Sequence, residues 1–209
     1  MLKKIIFLVG PHGVGKTYTT NEIKKSMSIL HFDLGPMIRS LHQKSAPDMK
    51  LRDWITVGEK KQGTDFSNVI LCEEIKRNLP ENASMALITG SRSLEGMNYI
   101  IHYFSIKNPV VIYLDANPSL LKQNYENREH RNISDEAFNG LLLDEQRMGL
   151  FKLREYVLTR PPNAFYVVNQ DNLPNTIKEI RNIITGRQLI TKHRTGTVPL
   201  FTKGKQHGK

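Results

Sequence analysis

The chain has 209 residues, 39% of them hydrophobic and 24% charged, with one cysteine and a formal net charge of +10. This is enough chain for one well-buried α/β domain with small insertions. A lone cysteine, Cys72, excludes an internal disulfide framework and fits a reducing cytoplasm, where it reads as a small buried apolar residue. No apolar run approaches a membrane span, and the run after Lys3 and Lys4 stops short of a secretory leader, so neither membrane nor export is expected.

Residues 5–9 are an apolar, β-branched run that predicts a first strand. GPHGVGKT follows at 10–17 and fits G-x-x-x-x-G-K-[ST]. Glycines in that pattern let backbone N–H groups turn toward a triphosphate, and a helix opening near Gly15 points its positive end at the same anion. Gly10, His12, Gly13, Val14, Gly15, Lys16, Thr17 and Tyr18 are therefore the expected ATP-binding set. Lys16 reaches the β- and γ-phosphates, and the Thr17 hydroxyl takes a place on Mg²⁺.

The helix after the loop is expected to reach about Ser28, and 29–33 reads as a second strand. Pro36 suits the first turn of a helix through Arg39. Pro47 and the charged run around Trp54 predict an irregular excursion, with Trp54 as a local hydrophobic anchor rather than a base-stacking platform. Thr64 is then expected to cap a helix that carries Asp65 in its first turn.

Strands are expected at 85–89, 110–114 and 165–168, with helices at 94–104, from Asn117-Pro118 to about Arg131, as one long helix from Ser134 to about Thr159, and at 174–185. Asp115 is expected to cap the helix after Asn117. Asp144, Glu145 and Arg147 read as a salt-bridged anchor for nearby arginines. Five short apolar strands alternating with helices imply a parallel sheet covered on both faces. Residues 186–209 hold six Lys or Arg and no acid. This is expected to be a partly ordered basic tail, able to make nonspecific contacts with nucleic acid.

In this order the motifs resemble those of the P-loop kinases of the nucleoside monophosphate kinase and dephospho-CoA kinase group. Besides GPHGVGKT, the resemblance rests on HFDLGPMIR, ITGSRSLEGMNYI, VVIYLDANPSLLKQNYENREHR and AFYVVNQDNLPNTIKEI, and it covers about residues 1–185. It implies a three-layer α/β/α sandwich with five parallel strands in the order 2-3-1-4-5. It also implies an acceptor-binding region near 34–80 and a lid near 124–136. At Thr89 the chain departs from the group, which usually has Asp before the glycine. Asp33 is the acid best placed to substitute, because both strands end on one rim.

Lys16, Asp33, Arg128 and Arg131 are the expected catalytic residues, and Asp33, Arg39 and Arg92 the expected acceptor-binding ones. Three residues apart, Arg128 and Arg131 share a helix face and close over the transferring group. Arg39 and Arg92 offer planar guanidinium groups for an anionic acceptor. The expected activity is ATP- and Mg²⁺-dependent transfer of a γ-phosphoryl group to a nucleotide-like small molecule, a nucleoside or deoxynucleoside monophosphate, by a monomer or homodimer. The alternatives are a hydroxyl acceptor, as in dephospho-CoA or a modified base in nucleic acid, and a P-loop ATPase that drives a partner.

Overall fold

The computed structural model describes residues 2–159, 161–169 and 172–187. The basic residues Lys192, Arg194, Lys203, Lys205 and Lys209 lie outside them, as do residues 170–171. Five parallel strands, β1 (Lys4–Val9), β2 (Leu30–Asp33), β3 (Met85–Thr89), β4 (Val110–Ala116) and β5 (Ala164–Asn169), pair in the order β2-β3-β1-β4-β5. Residues 5–9 of β1 are wholly buried, as a central strand covered on both faces requires.

Alternation along the strands sends side chains into two cores. One, built on Ile5, Phe7, Ile88 and Val111, is covered by α2 (Leu34–Ser45), α4 (Phe66–Arg77), α5 (Leu94–Tyr103) and α8 (Leu150–Leu158). The other, built on Ile6, Leu8, Leu87 and Ile112, is covered by α1 (Lys16–Ser26), α6 (Pro118–Glu129), α7 (Asp135–Arg147) and α9 (Leu173–Thr185). Cys72 is buried in the first. Among the described residues no helix is long and apolar enough to cross a membrane.

Four local expectations are corrected. The excursion around Trp54 is a helix, α3 (Leu51–Gln62), because the half-buried Trp54 packs edge-on against Phe66 and beside His42, giving the segment an apolar anchor. Asp65, not Thr64, occupies the N-cap position of α4. The helix after Asn117 ends at Glu129, where His130 turns left-handed (φ 51°), so Arg131 lies beyond it. The expected long helix is two. Phe138 and Leu142 of α7 belong to one core, and Leu150, Leu153 and Val157 of α8 to the other. No single straight helix can serve both faces of a sheet, and the chain turns between them at Gly149 (φ 106°).

Asp115 is also not a cap. Asn117 caps α6 by accepting the Leu120 N–H at 2.8 Å. The Asp115 carboxylate instead accepts from Arg154 of α8 at 3.2 Å and from the Tyr166 hydroxyl of β5, locking α8 to two strands.

A side chain at position 149 would be held in a left-handed conformation with its Cβ 3.1 Å from the Arg92 carbonyl oxygen. Gly149→Ala is expected to destabilise the fold by about 1–3 kcal/mol, read as a lowered midpoint in urea unfolding.

Candidate active site

The loop between β1 and α1 is pressed against the C-terminal rim of the sheet. A Cβ on Gly10 would lie 2.1 Å from the Leu114 carbonyl oxygen, and one on Gly13 2.0 Å from that of Leu121. Both contacts are far inside any van der Waals limit, so only glycine permits this seat. Gly15 opens α1 in a left-handed conformation (φ 95°) with no side-chain cap, leaving the first amides of the helix directed at the loop's concave side. Lys16 is the first residue of α1, and its ammonium donates to the Gly10 and Pro11 carbonyls at 2.6 and 2.8 Å. Thr17 and Tyr18 follow it on the exposed side.

Other elements brace the loop. Asn124 of α6 donates to the Gly13 carbonyl at 2.8 Å, and Asn169, at the end of β5, faces the Val14 carbonyl at 3.5 Å. Glu145 of α7, only 3% exposed, accepts the His12 N–H at 2.9 Å. Among the described residues, the salt-bridged anchor expected of Asp144, Glu145 and Arg147 makes no ion pair with Arg128 or Arg131, although the charge of Glu145 acts on Arg128. Asp144 pairs locally with Arg147, and Glu145 turns inward to the loop. Its spacing from Phe138 and Leu142 puts it on their buried face, and that was the sequence signal for it. Asn124 and Asn169 had no signal, since an amide that braces a loop resembles any other polar residue.

Three cations converge on this loop. Arg92, after β3, donates to His12 Nε2 at 3.1 Å and reaches Met148 Sδ at 3.5 Å. Arg128 lies over the Tyr125 ring, 5.2 Å from its centroid, and donates to Glu129 at 2.8 Å. Burial lowers Lys16 to about 8; Glu145 opposes that shift, while the charges of Arg92 and Arg128 add to it. His12 touches Tyr125 edge-on as well. Arginine only donates, so His12 Nε2 must accept, and the ring is neutral with its proton on Nδ1. Burial, followed by Arg92, Lys16 and Arg128, accordingly lowers the His12 pKa to about 4. With the ring neutral, its 3.6 Å approach to Glu145 Oε1 is not an ion pair. Arg131 stays apart from this group. It lines an open polar cavity of about 370 Å³ with Glu126, Asn127, His130 and Asn132.

At the β2 edge of the same rim, Asp33 pairs in register with Thr89, so the two strands end together. Thr89 Oγ1 lies 2.9 Å from His31 Nε2. Asp33 caps α2 by accepting the Gly35 N–H at 3.2 Å. A Cβ on Gly35 would lie 3.6 Å from Asp33 Oδ1 and 3.5 Å from Arg39 Nη1, so a carboxylate and a guanidinium face the same small space. Among the described residues no group of three or more His, Cys, Asp or Glu could hold a metal by itself. The Thr17 hydroxyl and the Asp33 carboxylate each present an oxygen that a hard cation can take, and the charge of Asp33 also acts on Lys16.

No family model matches the sequence, and no curated protein matches it. Among solved structures, the fold is similar to that of a gluconokinase from Sinorhizobium meliloti 1021, with a TM-score of 0.57 and 10% identity over 89% of this chain and 94% of that one. It is also similar to the shikimate kinase from Acinetobacter baumannii in complex with shikimate, with a TM-score of 0.55 and 19% identity over 90% of this chain and 96% of that one. At these identities the likeness is one of fold.

The neutral His12 makes stability depend on acid. The unfolded chain takes up a proton near the ordinary value of 6.5, and the folded chain only near 4. Between those values the unfolded state binds more protons, so stability falls as pH falls. The contribution is on the order of 2 kcal/mol. Burial raises the Glu145 pKa and works in the opposite direction. Comparison of His12→Asn with wild type isolates the histidine: between pH 6.5 and 4 the variant should lose less stability in chemical unfolding.

Proposed function

We propose that this protein is an ATP-dependent kinase that transfers the γ-phosphoryl group to a small-molecule acceptor, a nucleoside or deoxynucleoside monophosphate. The observation that carries this reading is the convergence of Lys16, Arg92 and Arg128, from three different elements, on one glycine-seated loop. Phosphoryl transfer asks mainly for positioning and charge neutralisation, and three cations around loop amides supply both. The two structures of similar fold are also those of kinases.

In this reading Lys16 and the loop amides hold the donor phosphates, and Arg128 stabilises charge on the transferring group. Arg131 joins it only if the chain beyond α6 moves toward the loop. Arg92 and Arg39 grip the acceptor's phosphate. Thr17 and Asp33 would hold Mg²⁺, which when bound neutralises and orients the phosphates. Asp33 thereby stands in for the acid absent at Thr89, which its register partnership with Thr89 supports.

A hydroxyl acceptor is the second reading, and the placement of Asp33 favours it. A carboxylate facing the same space as Arg39 suits a general base beside an anion-binding group. A screen of nucleosides, nucleoside monophosphates, dephospho-CoA, sugar acids and DNA for acceptor-dependent ADP formation decides between them.

Lys16→Ala is expected to lower turnover by about 10²-fold or more, because it removes the ammonium from the β- and γ-phosphates. Wild-type turnover in a steady-state assay would overturn the phosphate-loop assignment. Asp33→Asn keeps shape and hydrogen bonding but removes the charge. With a monophosphate acceptor, the variant should show a raised acceptor KM and a kcat reduced less than about tenfold. A fall in kcat beyond about 10²-fold that added Mg²⁺ does not restore identifies a hydroxyl acceptor.

A further inference from the structure

Glu145 lies 133 residues along the chain from the loop it touches. A carboxylate buried to this degree is costly unless hydrogen-bonded and offset by positive charge. Helix packing does not require it, since Phe138 and Leu142 already fix α7 in its core and an apolar side chain would pack at least as well. His12 is neutral and offers no charge. What offsets the carboxylate is the His12 amide at 2.9 Å together with Lys16, Arg92 and Arg128, all of which act on it.

We infer that Glu145 is a positioning residue of the phosphate site: through the His12 amide it ties the loop to α7, and its charge keeps Lys16, Arg92 and Arg128 gathered where a triphosphate meets them. The inference rests on the reading of the loop as a nucleotide site. It assigns a role to α7 that sequence spacing does not show. The helix carries the counter-charge of the site, so displacement of α7 alters the loop directly rather than through the core.

The test compares Glu145→Met with Glu145→Gln. Methionine fills similar space with no acceptor oxygen or charge. Glutamine keeps an oxygen able to accept the His12 N–H. Binding of a fluorescent ATP analogue, steady-state kcat and melting temperature are measured for both and for wild type. Glu145→Met is expected to weaken nucleotide binding and lower kcat, each by about tenfold or more, with melting unchanged or raised. Glu145→Gln, which keeps the hydrogen bond but not the charge, should recover part of the kcat and remain below wild type. Leu142→Ala, which removes buried packing from the same helix, should lower melting while leaving kcat per folded molecule unchanged.

Wild-type kinetics and affinity in Glu145→Met would overturn the positioning role alone. No better function in Glu145→Gln than in Glu145→Met would overturn the hydrogen bond as its means. A wild-type protein that binds no nucleotide would overturn the loop assignment, and this role with it. Should Glu145→Met fail to fold, amide exchange in the wild type remains decisive: a His12 amide that exchanges as fast as an exposed loop amide overturns the inference.

Discussion

The contact on which the rest of the structure depends is that between the backbone of the first loop and two carbonyl oxygens, those of Leu114 at the end of β4 and Leu121 in α6. Gly10 and Gly13 approach them so closely that any Cβ would overlap an oxygen. Pressed against the rim on one side, the loop opens into the first turn of α1, which has no side-chain cap. Its carbonyls are then taken by Lys16, Asn124 and Asn169, and the His12 amide by Glu145. A loop whose backbone is satisfied from four directions is preorganised, and preorganisation is what makes electrostatic stabilisation effective when charge moves.

The charge balance around the loop follows from that seat. Lys16, Arg92 and Arg128 repel one another; Glu145 of α7 acts on all three, and Asp33 of β2 acts on Lys16. His12 sits among the cations as a neutral hydrogen-bond acceptor rather than a fourth charge. Its neutrality is a consequence of the site's design, because a protonated ring there would face a donor-only guanidinium. The net arrangement favours a polyanion, and that physical preference unites both acceptor readings.

The sheet's two faces divide the work. α1, α6, α7 and α9 cover the face that supplies Lys16, Arg128 and Glu145. On the other face, α2 carries Arg39, and α8 is pinned to β4 and β5 through Arg154, Asp115 and Tyr166. Gly149 lets one run of chain serve both faces, and it does so directly against Arg92, so the hinge between cores lies beside a site cation.

The strands, the phosphate-loop pattern and the parallel α/β class were legible in the sequence, because each rests on spacing within about ten residues: an apolar run of strand length, glycines at fixed offsets, Asn-Pro before a helix. The order of the strands came from the resemblance of the motifs, and the pairing bears it out. Only the tertiary structure decided which side chains meet. Asp115 looked like a cap because a cap partner is local, whereas its real partners are 39 and 51 residues away. Glu145 looked like a lid anchor for the same reason, with its partner 133 residues distant. The run from Ser134 to Thr159 kept a helical pattern throughout, and only the need to cover two faces of one sheet revealed that it must break at Gly149. Periodicity reports whether a segment has a buried face. It carries no information about which distant group that face will meet, and at this site those meetings set the charges.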